Sequence, residues 1–459
     1  MSIRRSAGGI FWGVTLMAIG ALLLARNMGY AIPIWGTVAR YWPLLLIVWG
    51  VLKVVDYIRF TREGDNRALF SGGEVALLVM VVLVGGAITT AANISPDVEN
   101  IFQLGNLDLW DITGNNFEYT EHEEAEVPAG STIEIVNMYG NVDVHPSESN
   151  RVILDVTKTI RAAQKEDADR YSNEFTFSIR NEGSRYRIVS SRDEGLQSVG
   201  RARQYYKSSL TIQVPKRSAV QVGNRNGRVT IENLEGTQNI TNRYGDIEVR
   251  SIMGGVEVEN RNGSVTVEDV SEAVKITDRY SEVNAKNIGG SLQIENRNGS
   301  VYVSEVRGSA TISNAYGPIT AENINGDLRI NGRNNSIEIK HVAGSVTADA
   351  SYQNVTIQDA NGPITVRNRN GDIVLGFVKA PDKDISIVTQ YSNVRLELPS
   401  TASFNIDART QHGSVTSEFD GTETRSSDRD RFLRGQVGRG GPNINIETRN
   451  GDIRLEKRG

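Results

Sequence analysis

A glycine-centred motif recurs every 18 residues between Gly227 and Gly371, and this fixed period constrains the fold more than any other feature of the sequence. A second series of glycines lies halfway between the first, so two nine-residue units make one period. A unit reads roughly Gly-x-Val-x-Val, as in Gly263-Ser-Val265-Thr-Val267. Two apolar side chains on one face of a short strand cannot form a core alone, but stacked copies can. The period predicts a mainly β fold, a parallel β-solenoid (β-helix) with 18-residue coils.

Columns of similar residues support this coil length. Asparagine and tyrosine alternate at the position before each primary glycine, beginning with Asn226, Tyr244 and Asn262. Stacked asparagines can hydrogen-bond along the stack and stacked aromatic rings can pack. A second column, which begins with Glu232 and Arg250, alternates in charge sign until Ser304 and resumes after it, which would favour pairing between neighbouring strands. If the coil length is right, each member of a column lies directly above the next one.

A column of arginines precedes the alternating asparagines and tyrosines by one position. Its members are Arg225, Arg243, Arg261, Arg279, Arg297, Arg333 and Arg369. The commoner interpretation is a solvated edge that discourages pairing between molecules. The functional alternative is a ligand-binding surface for an anionic polymer. Glu259 and Glu295 each precede an arginine by two residues and are expected on the same face, so the sequence leaves both interpretations open.

Residues 1–93 differ in composition and are predicted to form a transmembrane region with three spans, at about residues 9–25, 41–58 and 74–92. Four of the chain's five tryptophans lie in this region, as expected for membrane interfaces. Basic residues are in excess before the first span and between the second and third. That excess predicts a multi-pass membrane protein with a cytoplasmic N-terminus and an extracytoplasmic solenoid. A re-entrant first pair of spans would leave this sidedness open.

The remaining chain divides into four parts by composition. Residues 94–128 are expected to form a polar acidic linker, and residues 129–220 a β-rich N-terminal cap with one short helix. Residues 221–376 hold the regular β-solenoid. Residues 377–459 are expected to form irregular C-terminal coils with a mobile, arginine-rich loop at about residues 421–441, and residues 444–455 to close the stack. A cap is expected because the open edge of a first coil would pair with other strands.

Two segments resemble known families. Residues 8–92, with the motif Trp42-Pro-Leu-Leu-Leu46, are similar to the LiaI–LiaF-like transmembrane region of bacterial envelope-stress proteins. Residues 129–457 resemble the bacterial adhesin-like β-solenoid family known as the Toastrack-like domain. The matching motifs are Asn137-Met-Tyr-Gly140-Asn-Val-Asp-Val144, repeated Asn-Arg-Asn-Gly, and the closing Thr448-Arg-Asn-Gly-Asp-Ile453. The resemblance implies a membrane-associated or extracytoplasmic solenoid in adhesion or envelope-stress signalling, and it brings no catalytic residues.

No residue pattern points to catalysis, a cofactor or a metal. The four histidines are far apart in sequence and the calcium-binding nonapeptide signature is absent. Aspartates that follow register glycines, such as Asp246 and Asp327, suit turns. The chain has no cysteine, which excludes disulfides. Its net charge of −5 is not that of a typical nucleic-acid-binding protein, which carries a basic surface. We therefore predict no catalytic, cofactor-binding or metal-binding residues and no nucleic-acid partner.

The sequence predicts a membrane-anchored, extracytoplasmic β-solenoid that acts as a non-enzymatic, adhesin-like binding or scaffold module. Its expected partners are the lipid bilayer and an envelope polymer or another membrane protein. An alternative is an envelope-stress sensor or regulator that signals through its transmembrane helices. A third alternative, a polysaccharide-cleaving enzyme, requires carboxylates clustered on one face of the coils.

Overall fold

The computed structural model describes residues 17, 50–51, 115–162, 164–191, 206–427 and 430–458. The predicted spans at residues 9–25, 41–58 and 74–92 lie outside these residues, apart from Met17, Gly50 and Val51. Within the described part of the chain, no helix combines the length and the apolarity needed to cross a bilayer. The chain divides into two compact units, Met1–Asn115 and Asn116–Gly459, and nearly all the described residues belong to the second.

Two parallel sheets run through the regular coils, and each coil contributes one strand to each sheet. Ile247 pairs with Val265 in one sheet, called sheet A, and Val256 pairs with Val274 in the other, called sheet B. Both offsets equal 18 residues, so the predicted coil length is confirmed. The apolar side chains of the strands point between the sheets; Val265 and Val267, for example, are fully buried. Full burial of each such side chain contributes about 1.5–3 kcal/mol.

The N-terminal elements place one coil inside the stack and antiparallel strands at its edge. They are β1 (Asn115–Glu126), β2 (Thr132–Tyr139), β3 (Val142–Ser147), β4 (Arg151–Ala162), α1 (Lys165–Glu174), β5 (Phe177–Glu182), β6 (Arg185–Ser190), β7 (Tyr206–Pro215) and β8 (Ala219–Asn226). Strand β2 pairs with both β6 and β8, and β3 pairs with β7. Strand β4 pairs with β7 and strand β5 pairs with β6, both in antiparallel orientation. Helix α1 packs against β4 through buried Ala168 and Ser172.

The second half of the predicted acidic linker at residues 94–128 is ordered as β1, which lies beside β4 in sheet A. Phe117 and Tyr119 pack against the core on one face of this strand. Glu121 forms an ion pair with Lys158, whose side chain is buried. The sequence suggested a linker because glutamates dominate it, but these alternate with residues that fit a half-buried strand.

The regular coils supply odd-numbered strands to sheet A and even-numbered strands to sheet B. The strands are β9 (Val229–Glu232), β10 (Gln238–Thr241), β11 (Ile247–Ile252), β12 (Val256–Glu259), β13 (Val265–Val270), β14 (Val274–Thr277), β15 (Val283–Ile288), β16 (Leu292–Asn298), β17 (Val301–Val306), β18 (Ala310–Tyr316), β19 (Ile319–Ile324), β20 (Leu328–Asn334), β21 (Ile337–Val342), β22 (Val346–Asp349), β23 (Val355–Ala360), β24 (Ile364–Asn370) and β25 (Ile373–Gly376).

The C-terminal coils do not stack in sequence order. Their strands are β26 (Ile385–Tyr391), β27 (Val394–Pro399), β28 (Phe404–His412), β29 (Val415–Ser417), β30 (Thr422–Ser427), β31 (Asp430–Val437), β32 (Asn443–Asn450) and β33 (Ile453–Arg458). Strand β32 pairs with both β26 and β28, and β33 pairs with both β27 and β29. The final coil, expected to close the stack, is therefore inserted between the two coils that precede it in sequence.

The arginine-rich segment at residues 421–441, expected to be a mobile loop, instead contains the antiparallel strands β30 and β31. Strand β31 pairs with β28 and buries Leu433 and Val437 against the core. Arg434 forms an ion pair with Asp407 at 3.1 Å, and Arg409 forms one with Asp430 at 3.0 Å. The arginines therefore flank apolar anchors that hold the hairpin on the last coil.

Candidate binding surface

Each regular coil turns from sheet B into sheet A through a four-residue corner, and the sequence of this corner is Asn-Arg-Asn-Gly, Asn-Arg-Tyr-Gly or a variant of these. The first asparagine is buried and acts as a clamp. The Nδ2 group of Asn368 donates to the carbonyl oxygens of Gln353 in the preceding coil and Gly371 in its own corner, both at 3.1 Å. Its Oδ1 atom accepts from the backbone N–H of Arg369 at 2.9 Å. At this corner the clamp thereby fixes the backbone that presents Arg369.

Most corners end in a glycine, which permits close stacking of the coils. Gly299 has a φ of 117°, and a Cβ atom added there would lie 2.1 Å from the carbonyl oxygen of Ser281 in the preceding coil. A side chain at Gly299 would therefore displace one coil from the next. The corner consequently stays flush with the stack, and only the two residues between asparagine and glycine project from it.

One coil exchanges two corner residues without losing the clamp. Gly332 occupies the asparagine position, and Asn335 occupies the glycine position. The Nδ2 group of Asn335 donates to the carbonyl oxygen of Gly317 at 2.5 Å, and its Oδ1 atom accepts from the backbone N–H of Arg333 at 2.6 Å. These bonds match two of the three that Asn368 makes, and the backbone N–H of Arg333 is held by an asparagine side chain as that of Arg369 is.

The predicted column of alternating asparagine and tyrosine is confirmed. Asn226 pairs with Tyr244, which pairs with Asn262, and the same alternation continues at Tyr316 and Asn334. The column tyrosines are exposed to similar extents, from 41% at Tyr244 to 53% at Tyr391. Successive tyrosines are two coils apart, or about 9.6 Å for parallel strands spaced about 4.8 Å apart.

The structure brings all seven predicted arginines to this corner: Arg225, Arg243, Arg261, Arg279, Arg297, Arg333 and Arg369. None of them forms an ion pair with any described carboxylate, including Glu259 and Glu295, which influence Lys275 instead. Arg243 instead lies over the ring of Tyr244, with 5.4 Å from the guanidinium carbon to the ring centroid.

Basic residues on the flat faces of the sheets differ from this column because they are paired. Arg250 contacts Glu268 at 3.2 Å, and Lys275 contacts Glu257 at 2.7 Å, each one coil away. The predicted alternation of charge on sheet A therefore produces real pairs, as at Arg250. Between Arg225 and Arg297 unpaired cations recur about 4.8 Å apart and repel one another, and an anionic ligand would relieve this repulsion.

Aspartates that follow the register glycines brace the coils rather than form a reactive cluster. Asp327 accepts hydrogen bonds from the backbone N–H and the hydroxyl of Ser345 in the next coil, at 2.8 and 2.7 Å. These bonds lower the pKa of Asp327. Asp452 accepts from the backbone N–H of Ser414 at 2.9 Å, which lowers its pKa in the same way. In the described residues, no group of three or more His, Asp or Glu side chains is placed to hold a metal ion.

Asp278 is an exception among the clamp residues because it places a carboxylate where the other corners have an amide. It is 3% exposed, and burial raises its pKa, although the backbone N–H groups of Arg279, Ser281 and Tyr280 oppose this shift. One carboxylate oxygen accepts from Ser281 N at 3.0 Å, and the other, Oδ1, has no partner among the described residues.

The corner surface continues beyond the residues found from the sequence. Arg449 and Asn450 belong to the inserted coil, and His412 pairs with Asn450 in the coil that follows it in the stack. The motif Thr448-Arg-Asn-Gly451 signals such a corner. Its position in the stack depends on pairing between distant strands, which the period does not reveal.

Comparison with known proteins agrees with this architecture. Residues 131–456 match the family model described as Toastrack DUF4097, and residues 11–105 match the LiaF transmembrane domain. A search of curated proteins gave no match.

Two crystal structures were also found in the comparison with solved structures. A provisionally named cell adhesion protein from Clostridium sporogenes is 11% identical, with 74% of this chain and 100% of that chain covered and a TM-score of 0.18. A provisionally named adhesin from Bacteroides fragilis is 12% identical, with 73% and 97% covered and a TM-score of 0.21. TM-scores this low support no conclusion about function.

Proposed function

Because the chain belongs to the Toastrack DUF4097 family, we propose that it is a membrane-anchored, extracytoplasmic, non-enzymatic module that binds an envelope polymer or another macromolecule. The match of residues 11–105 to the LiaF transmembrane domain supports the membrane anchor. The proposed topology is multi-pass, with a cytoplasmic N-terminus. Neither family description names an enzymatic activity.

The observation that carries this proposal is the contrast between the arginine column and the faces of the solenoid. The faces hold many basic residues in ion pairs, whereas the seven column arginines stay unpaired with respect to the described carboxylates. At Arg243, Arg297 and Arg369 the backbone N–H donates to the side chain of the preceding buried asparagine, and at Arg333 it donates to Asn335. A ligand would therefore meet cations whose mutual positions are already set, which lowers the entropy cost of binding.

The test is a binding measurement with the full chain in lipid nanodiscs. Peptidoglycan, anionic polysaccharides and extracellular matrix proteins are offered to the parent protein and to a variant with all seven column arginines changed to glutamine. We expect one polymer to bind in a salt-dependent manner and to lose most of its affinity for the variant. Failure of every polymer to bind, or equal binding by the variant, would contradict the proposal.

A second function, an envelope-stress sensor or regulator that signals through the membrane region, is favoured by the LiaF transmembrane match alone. In this case residues 1–93 are required for the response, and the solenoid alone is insufficient. Replacing residues 1–93 with an unrelated membrane anchor, while keeping the solenoid at the same surface density, separates the two functions. Loss of a stress response with polymer binding retained would support the sensor, and an unchanged response would exclude it.

A further inference from the structure

The C-terminal half of the corner surface carries a two-coil repeat that the N-terminal half lacks. Between Gly227 and Gly299 every coil has a basic residue at the arginine position, including coils that also carry a tyrosine, such as Arg243-Tyr244. From Arg297 onward the two residue types occupy alternate coils, because Ala315 and Ser351 precede the tyrosines there. The result is a surface that we call the Arg–aromatic ridge. Its four pairs are Arg297 with Tyr316, Arg333 with Tyr352, Arg369 with Tyr391, and Arg449 with His412.

The unusual order of the C-terminal coils preserves this alternation. In sequence order, the corner with Gln390-Tyr391 would be followed by the corner with Gln411-His412, which would place two aromatic coils side by side. Insertion of β32 between β26 and β28 places Arg449 between them. Stacking in sequence order would bury the same kinds of apolar residues but would end the alternation after Tyr391.

The ridge residues are accessible and their functional groups are uncommitted. Tyr316, Tyr352 and Tyr391 are 47%, 44% and 53% exposed. No cation lies over these three rings among the residues described, in contrast to Arg243 over Tyr244 in the N-terminal half. Nearby carboxylates are already engaged; Asp349, for example, pairs with two basic residues of sheet B.

The spacing and the chemistry together define a ligand. One guanidinium and one aromatic ring recur every two coils, which is about 9.6 Å for strands about 4.8 Å apart. This distance is close to the advance of two sugar units in an extended β-linked polysaccharide. An exposed aromatic ring stacks against the apolar face of a pyranose, and a guanidinium pairs with a carboxylate. The asparagines between the rings offer amides to hydroxyl or acetamido groups.

We infer that the Arg–aromatic ridge binds an extended anionic polysaccharide whose repeating unit is a disaccharide with one carboxylate. This inference rests on the proposed binding function and names the class of ligand. A neutral glycan would leave the arginines without partners. A polyphosphate would leave the tyrosines without a stacking face, and its closely spaced charges would suit an arginine on every coil.

The test uses hyaluronan oligosaccharides of increasing length, since this polymer has one carboxylate in each disaccharide. Binding to the full chain in nanodiscs is measured by calorimetry. Affinity is expected to rise with length and to level off at about four disaccharides, the number of pairs in the ridge. Neutral chito-oligosaccharides and polyphosphate of matched length are expected to bind at least about tenfold more weakly.

Two variants identify the surface. Arg297, Arg333 and Arg369 are changed together to glutamine in one, and Tyr316, Tyr352 and Tyr391 to serine in the other; each is expected to lower hyaluronan affinity at least about tenfold. The matched control changes Arg250, Lys286 and Arg395 to glutamine. It removes the same charge from basic residues on the face of sheet A and is expected to bind normally.

The outcomes separate this inference from the proposed function. Arginine-dependent binding of polyphosphate that is insensitive to the tyrosine change overturns the inference, as does equal binding of the neutral oligosaccharide. Binding of peptidoglycan or a protein without binding of hyaluronan also overturns it, while the proposed function stands. Absence of binding to every polymer overturns both.

Discussion

Replacing Asp278 with asparagine is predicted to stabilise the solenoid at neutral pH. Asp278 occupies a clamp position, but a carboxylate cannot donate to the carbonyl oxygens that an asparagine bridges. By analogy with Asn260, which donates to Gly245 O at 3.3 Å and Gly263 O at 2.7 Å, an amide at position 278 would donate to Gly263 O and Ser281 O. Its oxygen could keep the bond that Asp278 now accepts from Ser281 N.

The magnitude follows from the bonds gained. Two hydrogen bonds of about 1 kcal/mol each give about 2 kcal/mol at pH 7. The pH dependence follows from the raised pKa of Asp278. A carboxyl whose pKa is raised by folding stabilises the fold fully below its unfolded pKa of about 3.9, and that contribution is lost as the pH rises through the folded pKa. The advantage of asparagine should therefore shrink in acid, where protonated Asp278 can itself donate one bond.

Hydrogen exchange is the appropriate assay because solenoids need not unfold in a single step. The protection of amides in the coils around residue 278 is measured for the parent protein and for Asp278→Asn at pH 7 and in acid. The reverse change, Asn296→Asp, should lower protection at pH 7, and Asp382→Asn, which removes an exposed charge, should change nothing. Equal or lower protection for Asp278→Asn at pH 7 would refute the role assigned to the clamp.

Three further predictions concern other parts of the stack. Gly299→Ala should destabilise the solenoid by about 3 kcal/mol or more, because the new Cβ atom would lie 2.1 Å from a carbonyl oxygen of the neighbouring coil. Gly255→Ala should cost far less, because its Cβ atom would lie 3.4 Å from the nearest atom. Thermal unfolding compares the two variants. Asp327→Asn should make stability less sensitive to acid. Folding lowers the pKa of Asp327, so its contribution to stability is present above the unfolded pKa of about 3.9 and is lost as the pH falls through the folded pKa. Melting curves between neutral pH and a pH of about 2 test this. Lys158→Ala should destabilise by about 3–5 kcal/mol, because it leaves the carboxylate of Glu121 without its partner, and rapid protease cleavage within β1 is the expected sign.

The sequence predicts the repeat well because every regular coil buries apolar residues at the same positions. A period of 18 residues sets the register of both sheets, and the columns through Asn226 and Tyr244 align as expected. Local alternation also implies the exposed corner on which the arginines lie. Regular coils pair only with their sequence neighbours, so no long-range information is needed.

The ends of the stack could not be predicted in the same way. The many glutamates of β1 indicated a solvated linker rather than a strand, although Phe117 and Tyr119 alternate with polar residues. Strands β2 and β32 pair with strands that are distant in sequence. The hydrophobic pattern of β2 or β32 does not show which of these distant strands is its partner. Two of the four ridge pairs, Arg369 with Tyr391 and Arg449 with His412, contain a residue beyond the last regular glycine, Gly371. The second of these pairs can be recognised only once β32 is placed in the stack.

The order of the C-terminal coils can be tested directly with engineered disulfides, because the chain has no cysteine of its own. Glu447 pairs with Val388 on one side and with Arg409 on the other. Neighbouring parallel strands lie about 4.8 Å apart, within disulfide range, whereas strands two coils apart lie about 9.6 Å apart, beyond it. We predict oxidation of the cysteine pairs 388/447 and 409/447 but not of 388/409. A disulfide in the pair 388/409, with none in 388/447, would contradict the inserted coil and the continuous ridge that depends on it.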